Sequence, residues 1–232
     1  MNILSILTVF DWLALAWFAI AWAVYAGYAR RVNASDTSLL QVTNRYRRDW
    51  LMQTTARDPR MIDSVITQTL SQTPSFFCST TILVIGGLLA VLGTNDKAVE
   101  LVRDIPFVAR TTALVFDIKL ITLVVIFVYA FFRFSWSMRQ YTFVALVIGG
   151  MPPPSTFASG EHDREAYAAR AAGLVALAAE SFNDGLRAYY FAFAVVGWFV
   201  SPAVFFLATI AVLAILYRRE FKSDVLTVLN QT

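Results

Sequence analysis

The chain has 232 residues, of which 58% are apolar and only 15% are charged, and its mean hydropathy is +0.60. Soluble globular domains typically contain about 25% charged residues, so this composition excludes an ordinary soluble domain. The net charge is +3, but most basic residues flank apolar blocks. That distribution is typical of membrane topology and of contact with anionic lipid head groups, not of nucleic-acid binding.

The apolar residues are gathered into four blocks, each long enough to cross a bilayer. A hydrocarbon core of about 30 Å requires about 20 apolar residues in a helix. The blocks cover residues 6–28, 74–92, 112–134 and 189–217. The sequence therefore predicts an all-α fold: a polytopic membrane helix bundle with four transmembrane helices, in a single domain. The first block is predicted to be retained, because residues 1–10 contain no Lys or Arg, unlike the basic start of a signal peptide.

Helical patterns continue beyond the second and third blocks and predict cytoplasmic helical extensions. Residues 61–72 lead into the second block, and residues 135–148 prolong the third until two glycines and a triple proline end it. Residues 161–182 are alanine-rich with an apolar centre too short to span the membrane. They predict an additional amphipathic helix packed on these extensions, or alternatively a loose surface helix. Pro202 interrupts the fourth block and predicts a kink.

The arginines set the predicted orientation. With four spans, the first and third linkers share one side, and they carry most of the positive charge. The positive-inside rule places them in the cytoplasm, so both termini are expected outside. The basic tail at 218–222 conflicts with this assignment. The predicted location is the cell membrane, which is the inner membrane in a bacterium.

Charged residues within the predicted spans are the first candidates for a functional site, because a charge in hydrocarbon needs a partner or a wet cavity. Asp11, Asp117 and Lys119 are predicted at similar depth near the outer side. Asp11 and Lys119 could form an ion pair. The three residues could line a polar vestibule or conduction path, or the pair could fix helix register while Lys119 snorkels to the interface.

A second candidate site lies at the predicted inner side. Arg133, Arg139 and Arg187 fall near helix ends, close in sequence to Glu180, Asn183 and Asp184. Guanidinium groups match phosphate oxygens, so these arginines are candidate anion or lipid-phosphate contacts. Ordinary interfacial anchoring is the alternative. Arg45, Arg47 and Arg48 similarly fit a membrane-surface patch.

Catalytic and metal signatures are not found in the sequence. The chain has one cysteine, Cys78, and one histidine, His162, whereas a metal site usually needs three or four ligands. We therefore expect no enzyme activity, no metal and no cofactor.

Several motifs together resemble a known family. They are FFCSTTILVIGGLLAVLG at 76–93, MRQYTFVALVIGGMP at 138–152, FNDGLRAYYFAFAVVGWFVSP at 182–202 and LYRREF at 216–221. They are similar to an uncharacterised family of bacterial and plant membrane proteins, catalogued as a domain of unknown function. The resemblance covers nearly the whole chain and implies a four-span membrane domain. It implies no activity and no catalytic residues.

The sequence is compatible with two main functions. The first is a homo-oligomeric channel or permeation pathway for an ion or small solute. An oligomer is expected because four spans are few for a monomeric transporter. The alternative is a non-catalytic structural or assembly subunit of a larger membrane complex. A membrane enzyme acting on lipids is less favoured, since no histidine lies in a span. A channel predicts a continuous wet path, whereas an assembly subunit predicts a dry core and a large apolar lateral face.

Overall fold

The computed structural model describes residues 7–32, 38–93 and 112–230, and all the regular structure in these ranges is α-helical. The helices are α1 (Val9–Val32), α2 (Leu39–Thr54), α3 (Met61–Gly93), α4 (Ala113–Gly149), α5 (Pro154–Ala158), α6 (Arg164–Val200), α7 (Pro202–Phe221) and α8 (Asp224–Leu229). The predicted all-α class is confirmed.

Four helical segments are long and apolar enough to cross a membrane: Val9–Val32, Met61–Gly93, Ala113–Gly149 and Pro202–Leu229. The chain is therefore a multi-pass membrane protein, as predicted. The helical extensions are also confirmed, because α3 begins 13 residues before Pro74 and α4 continues to Gly149.

The fourth apolar block differs from its prediction as a single kinked helix over residues 189–217. Its first part belongs to α6, which ends at Val200, and its second part belongs to α7, which begins at Pro202. Ser201 between them is fully extended, with φ −166° and ψ 159°. Its side-chain oxygen accepts a hydrogen bond from the Val204 backbone N–H and so caps α7. The proline breaks the helix because it has no N–H to continue the α6 ladder.

The chain reverses at this break, and α6 and α7 form an antiparallel hairpin. A Cβ placed on Gly197 would lie 3.1 Å from the Val204 side chain and 3.4 Å from that of Ala208. Farther from the turn, Arg187 of α6 bonds to Glu220 of α7. The hairpin therefore runs from the turn at Ser201 to the level of Glu220.

The predicted amphipathic helix is the first half of α6 and not a separate element. Asp163 caps its start by accepting hydrogen bonds from the Glu165 and Ala166 backbone N–H groups. Its buried face packs on α2 and on the extension of α4. The cluster formed there comprises Leu51, Tyr141, Val144, Ile148, Ala171, Ala172, Val175 and Ala178. This packing excludes the alternative of a loose surface helix.

Close packing of α4 on α6 holds the centre of the bundle together. Gly185 lies directly against the fully buried ring of Phe134, since a Cβ on this glycine would come within 2.5–2.8 Å of three ring carbons. The ring of Phe134 also meets those of Phe77, Phe182 and Tyr189, each with centroids 5.3–5.6 Å away. The absence of a side chain at position 185 thus sets the α4–α6 distance.

Candidate functional site

Asp11 and Lys119 lie at one end of the bundle, and both bond to Trp198 instead of to each other. The Trp198 indole N–H donates to Asp11 Oδ1 at 2.7 Å. The ammonium of Lys119 donates to the Trp198 backbone carbonyl at 2.8 Å. All three residues are buried, and no ion pair within 4 Å joins Asp11 to Lys119 among the described residues. We call these three residues the Trp198 layer.

The two charged residues of the Trp198 layer each satisfy a helix end. Thr8 and Asp11 form a capping box at the start of α1: the Thr8 hydroxyl accepts from the Asp11 N–H, and Asp11 Oδ2 accepts from the Thr8 N–H. The Trp198 carbonyl lies in the last turn of α6. In a continuous helix it would accept from the N–H of residue 202, but residue 202 is a proline and has no N–H. Lys119 replaces that donor, and its charge is favourable at a helix C-terminus.

Asp117, the third candidate on the outer side, is not part of this layer. It is half-buried on α4, two residues before Lys119. Two residues turn an α-helix by about 200°, so Asp117 and Lys119 lie on different faces. The structure therefore brings together two of the three predicted vestibule residues.

At the other end of the bundle, Asp184 joins three arginines. Its carboxylate lies 2.6 Å from Arg133, 2.9 Å from Arg187 and 3.8 Å from Arg30. Arg187 also forms a bidentate salt bridge with Glu220, at 2.9 and 2.7 Å. We call these five residues the Asp184 layer.

The predicted anion site at Arg133, Arg139 and Arg187 is only partly assembled. Arg133 and Arg187 already have carboxylate partners, and Asp184 and Arg187 are each 5% exposed. Arg139 is exposed elsewhere on α4, with its guanidinium 5.8 Å from the ring of Phe143. Arg133 and Arg187 therefore form ion pairs within the bundle.

The two layers bound an apolar core. Fourteen residues separate Lys119 from Arg133 on α4 and Asp184 from Trp198 on α6, which corresponds to about 21 Å along each helix. Between them lie Phe18, Leu123, Ile126, Phe191 and Val195, all buried. The buried hydroxyls of Thr81 and Thr209 in this region donate to carbonyls of their own helices. The described core between the layers is therefore mainly apolar.

A pocket of about 360 Å³ lies beside the Asp184 layer, where α2, α3, α4, α6 and α7 meet. Its polar lining includes Arg47, Tyr141, Asn183 and Arg219. Arg47 bonds through its Nη1 to the side chain of Asn44 and has no carboxylate within 4 Å among the described residues. Burial lowers the pKa of the Arg47 guanidinium below its usual value.

Metal ligands are not gathered anywhere in the part of the chain that the structure describes: no group of three or more His, Cys, Asp or Glu side chains could hold an ion there. The single cysteine, Cys78, is a half-buried free thiol.

Sequence reasoning did not identify the residues that complete both layers. Trp198 and Glu220 were not among the predicted site residues, although the Thr8-x-x-Asp11 spacing is a recognisable capping signal. Arg187 and Glu220 are 33 residues apart, so their contact depends on the reversal at Ser201. A helix that simply kinks at Pro202 would keep them far apart.

Comparison with known proteins places the chain in a family without assigning it an activity. Residues 13–225 match the family described as "Protein of unknown function, DUF599". No curated protein and no solved structure matches the chain. Since the match covers most of the sequence, the protein belongs to the DUF599 family, as the motifs and the RREF tail predicted.

Proposed function

We propose that a fifth segment, the second half of α6, crosses the membrane beside the four apolar helices. Its support is the hairpin, because α6 reaches from the Asp184 layer to the Trp198 layer and α7 returns. α1 then begins at the Trp198 layer and α7 ends at the Asp184 layer. This topology replaces the arrangement in which both termini share one side.

Charge distribution supports the five-segment topology. The basic tail joins the first and third linkers at the Asp184 end, which gives that end 15 of the 19 Lys and Arg residues. The positive-inside rule then places the Asp184 end in the cytoplasm of a cell membrane, and the conflict at the tail disappears.

Cysteine labelling tests this topology. In a Cys78→Ser background, we expect Lys222→Cys and Glu161→Cys to react with a membrane-impermeant thiol reagent from the same side. Asn2→Cys, as the control for the opposite side, should react only when the vesicles are inverted. Labelling of Lys222→Cys and Glu161→Cys from opposite sides would exclude the fifth crossing.

We propose that the protein is a non-catalytic assembly subunit that associates with further copies of itself through α3. The observation that carries this proposal is the position of the exposed apolar residues on α3. Only 6% of its most apolar stretch is buried inside the protomer. Lipid can cover the membrane part, but Met61, Ile62 and Val65 are 60–72% exposed and lie about 14–20 Å along the helix below Pro74.

The manner in which α3 is attached also supports an assembly role. Its buried residues are Asp63, Thr67, Pro74 and Thr81. Asp63 Oδ1 accepts from Trp50, Thr54 and Arg57 at 2.7–2.8 Å, which ties the start of α3 to α2. The start of α3 is therefore held to its own protomer by polar contacts, and its membrane part by apolar side chains such as Phe77, while Met61, Ile62 and Val65 face outward. An exposed apolar patch outside the hydrocarbon is typical of a protein–protein contact.

Native mass spectrometry in mild detergent tests self-association. We expect oligomers for the wild type and a shift to monomers for Val65→Glu, because a charge would enter the apolar contact. Ser64→Glu is the matched control: it adds the same charge at the adjacent exposed position, whose hydroxyl bonds only to its own helix. A wild type that is monomeric at high concentration, or equal oligomer distributions for both variants, would reject the proposal.

A permeation path between protomers is the second candidate. A polar groove of about 710 Å³ runs between α3 and α4, and its lining includes Gln68, Ser71, Gln72, Ser75 and Arg139. In an oligomer built on α3, this groove would face the contact between copies. Potassium flux from liposomes separates the candidates. We expect no flux above empty liposomes, whereas flux that Val65→Glu abolishes would favour the pathway over the assembly role.

A further inference from the structure

The pocket beside the Asp184 layer has an excess of hydrogen-bond donors. Glu220 is its one carboxylate, and both oxygens of that carboxylate are occupied by Arg187. Arg219, which packs 5.3 Å from the Tyr190 ring, has no carboxylate within 4 Å among the described residues. With Arg47, two cations without an acidic partner therefore line one cavity.

Tyr141 supplies an independent indication of a ligand. Its side chain lines the cavity and is 4% exposed, and its hydroxyl makes no hydrogen bond to any residue that the structure describes. The Arg47 guanidinium lies close enough to Tyr141 to act on its hydroxyl electrostatically. A tyrosine hydroxyl that lines a cavity and has no protein acceptor is free to donate a hydrogen bond to a ligand held there.

The position and size of the pocket limit what that ligand can be. Its volume of about 360 Å³ is at the small end of the range for small-molecule sites, about 300–1,000 Å³. Phe182 on its wall also touches Phe77 and Phe134 of the membrane core. The pocket therefore lies between the apolar core and the helical segments that extend beyond it.

We propose that this pocket binds the phosphate group of an anionic ligand, with the Arg47 guanidinium and the Tyr141 hydroxyl as its main donors. Guanidinium is the preferred partner of phosphate because its N–H groups match two phosphate oxygens at once. The Asn183 amide, which makes no hydrogen bond within the described chain, and Arg219 are available to the remaining oxygens. The phosphate can belong to a lipid head group or to a soluble phosphate monoester.

Binding is measured on the full-length protein in two arms. In the first, nanodiscs contain equal parts phosphatidylglycerol and phosphatidylcholine, and native mass spectrometry counts the lipids retained by the protein. In the second, glycerol 3-phosphate is titrated onto protein in phosphatidylcholine nanodiscs by calorimetry. Selective retention of phosphatidylglycerol identifies a lipid, whereas saturable binding of glycerol 3-phosphate identifies a soluble ligand. Binding in neither arm overturns the proposal.

Variants assign the binding to this pocket. We expect Arg47→Gln to weaken the observed binding about tenfold, since a charge-assisted hydrogen bond is lost. Tyr141→Phe removes only the hydroxyl and should weaken it by a few-fold. Arg48→Gln is the matched control. Arg48 is an exposed arginine on the same helix and pairs with Glu165, so ligand binding by this variant should equal that of the wild type. Wild-type affinity in both Arg47→Gln and Tyr141→Phe would refute the site.

Discussion

Asp184→Asn is expected to destabilise the protein by about 3–5 kcal/mol. Removing one partner of a buried ion pair leaves the other charge uncompensated in a low-dielectric site. Asp184 is the common partner of Arg133 and Arg187, and its side chain is 6% exposed. For a chain of this size the change corresponds to a fall of about 6–20 °C in the unfolding midpoint, measured in nanodiscs by circular dichroism.

Two comparisons make the test specific to the Asp184 layer. Glu165→Gln breaks an ion pair in which both side chains are more than half exposed, so its midpoint should stay near that of the wild type. Adding Arg133→Gln to Asp184→Asn should restore part of the loss, because one unpaired cation is then removed. A wild-type midpoint for Asp184→Asn, or losses that add strictly, would show that the layer does not act as a unit.

Local signals in the sequence were sufficient for the class of fold and for most of its helices. Runs of about 20 apolar residues identify α1, α3 and α4 because lipid imposes that length on any spanning helix. The Gly149-Gly150 and triple-proline break likewise marks the end of α4 close to where the structure has it. These features depend on residues near one another in the chain, so no knowledge of the packing is needed to recognise them.

The reversal of the chain at Pro202 depends on contacts between residues that are distant in sequence. A proline within an apolar run is compatible with a kink or with a reversal, and local propensity does not separate the two. The reversal is stabilised by Arg187 with Glu220 and by Lys119 at the buried C-terminal end of α6. Arg187 and Glu220 look like isolated charges in the sequence until the hairpin brings them together.

The candidate sites were predicted from the high free energy of burying a charge. Of the six candidates, Asp11, Lys119 and Arg187 are buried, Asp117 and Arg133 are partly buried and Arg139 is exposed, whereas the buried Asp63 was not among them. The partners of Asp11 and Lys119 include an indole N–H and a backbone carbonyl of Trp198. Backbone groups become available only at helix ends, so a partner of this kind is visible only when the helix boundaries are known.

At the end of the bundle that holds the Trp198 layer, truncation of Trp198 is expected to cause the largest loss of stability. Its side chain is fully buried, and its ring stacks on Phe205 with centroids 5.2 Å apart. Trp198→Ala should reduce the free energy of unfolding by about 3–5 kcal/mol, since it creates a large cavity and removes the donor to Asp11 Oδ1. Trp198→Phe keeps most of the packing and removes the indole N–H, so its loss should be about 1–2 kcal/mol.

A pair of double-mutant cycles distinguishes the bonds at Trp198 from a direct pair between Asp11 and Lys119. Asp11→Ala and Trp198→Phe remove the two ends of one hydrogen bond, so their losses should overlap by about 0.5–1.5 kcal/mol. Asp11→Ala and Lys119→Met act on different atoms of Trp198, so their losses should be closer to additive. The loss from Lys119→Met alone comes from the unsatisfied Trp198 carbonyl at the end of α6. A larger coupling for Asp11 with Lys119 than for Asp11 with Trp198 would mean that the two charges pair directly, and that the last turn of α6 has another donor.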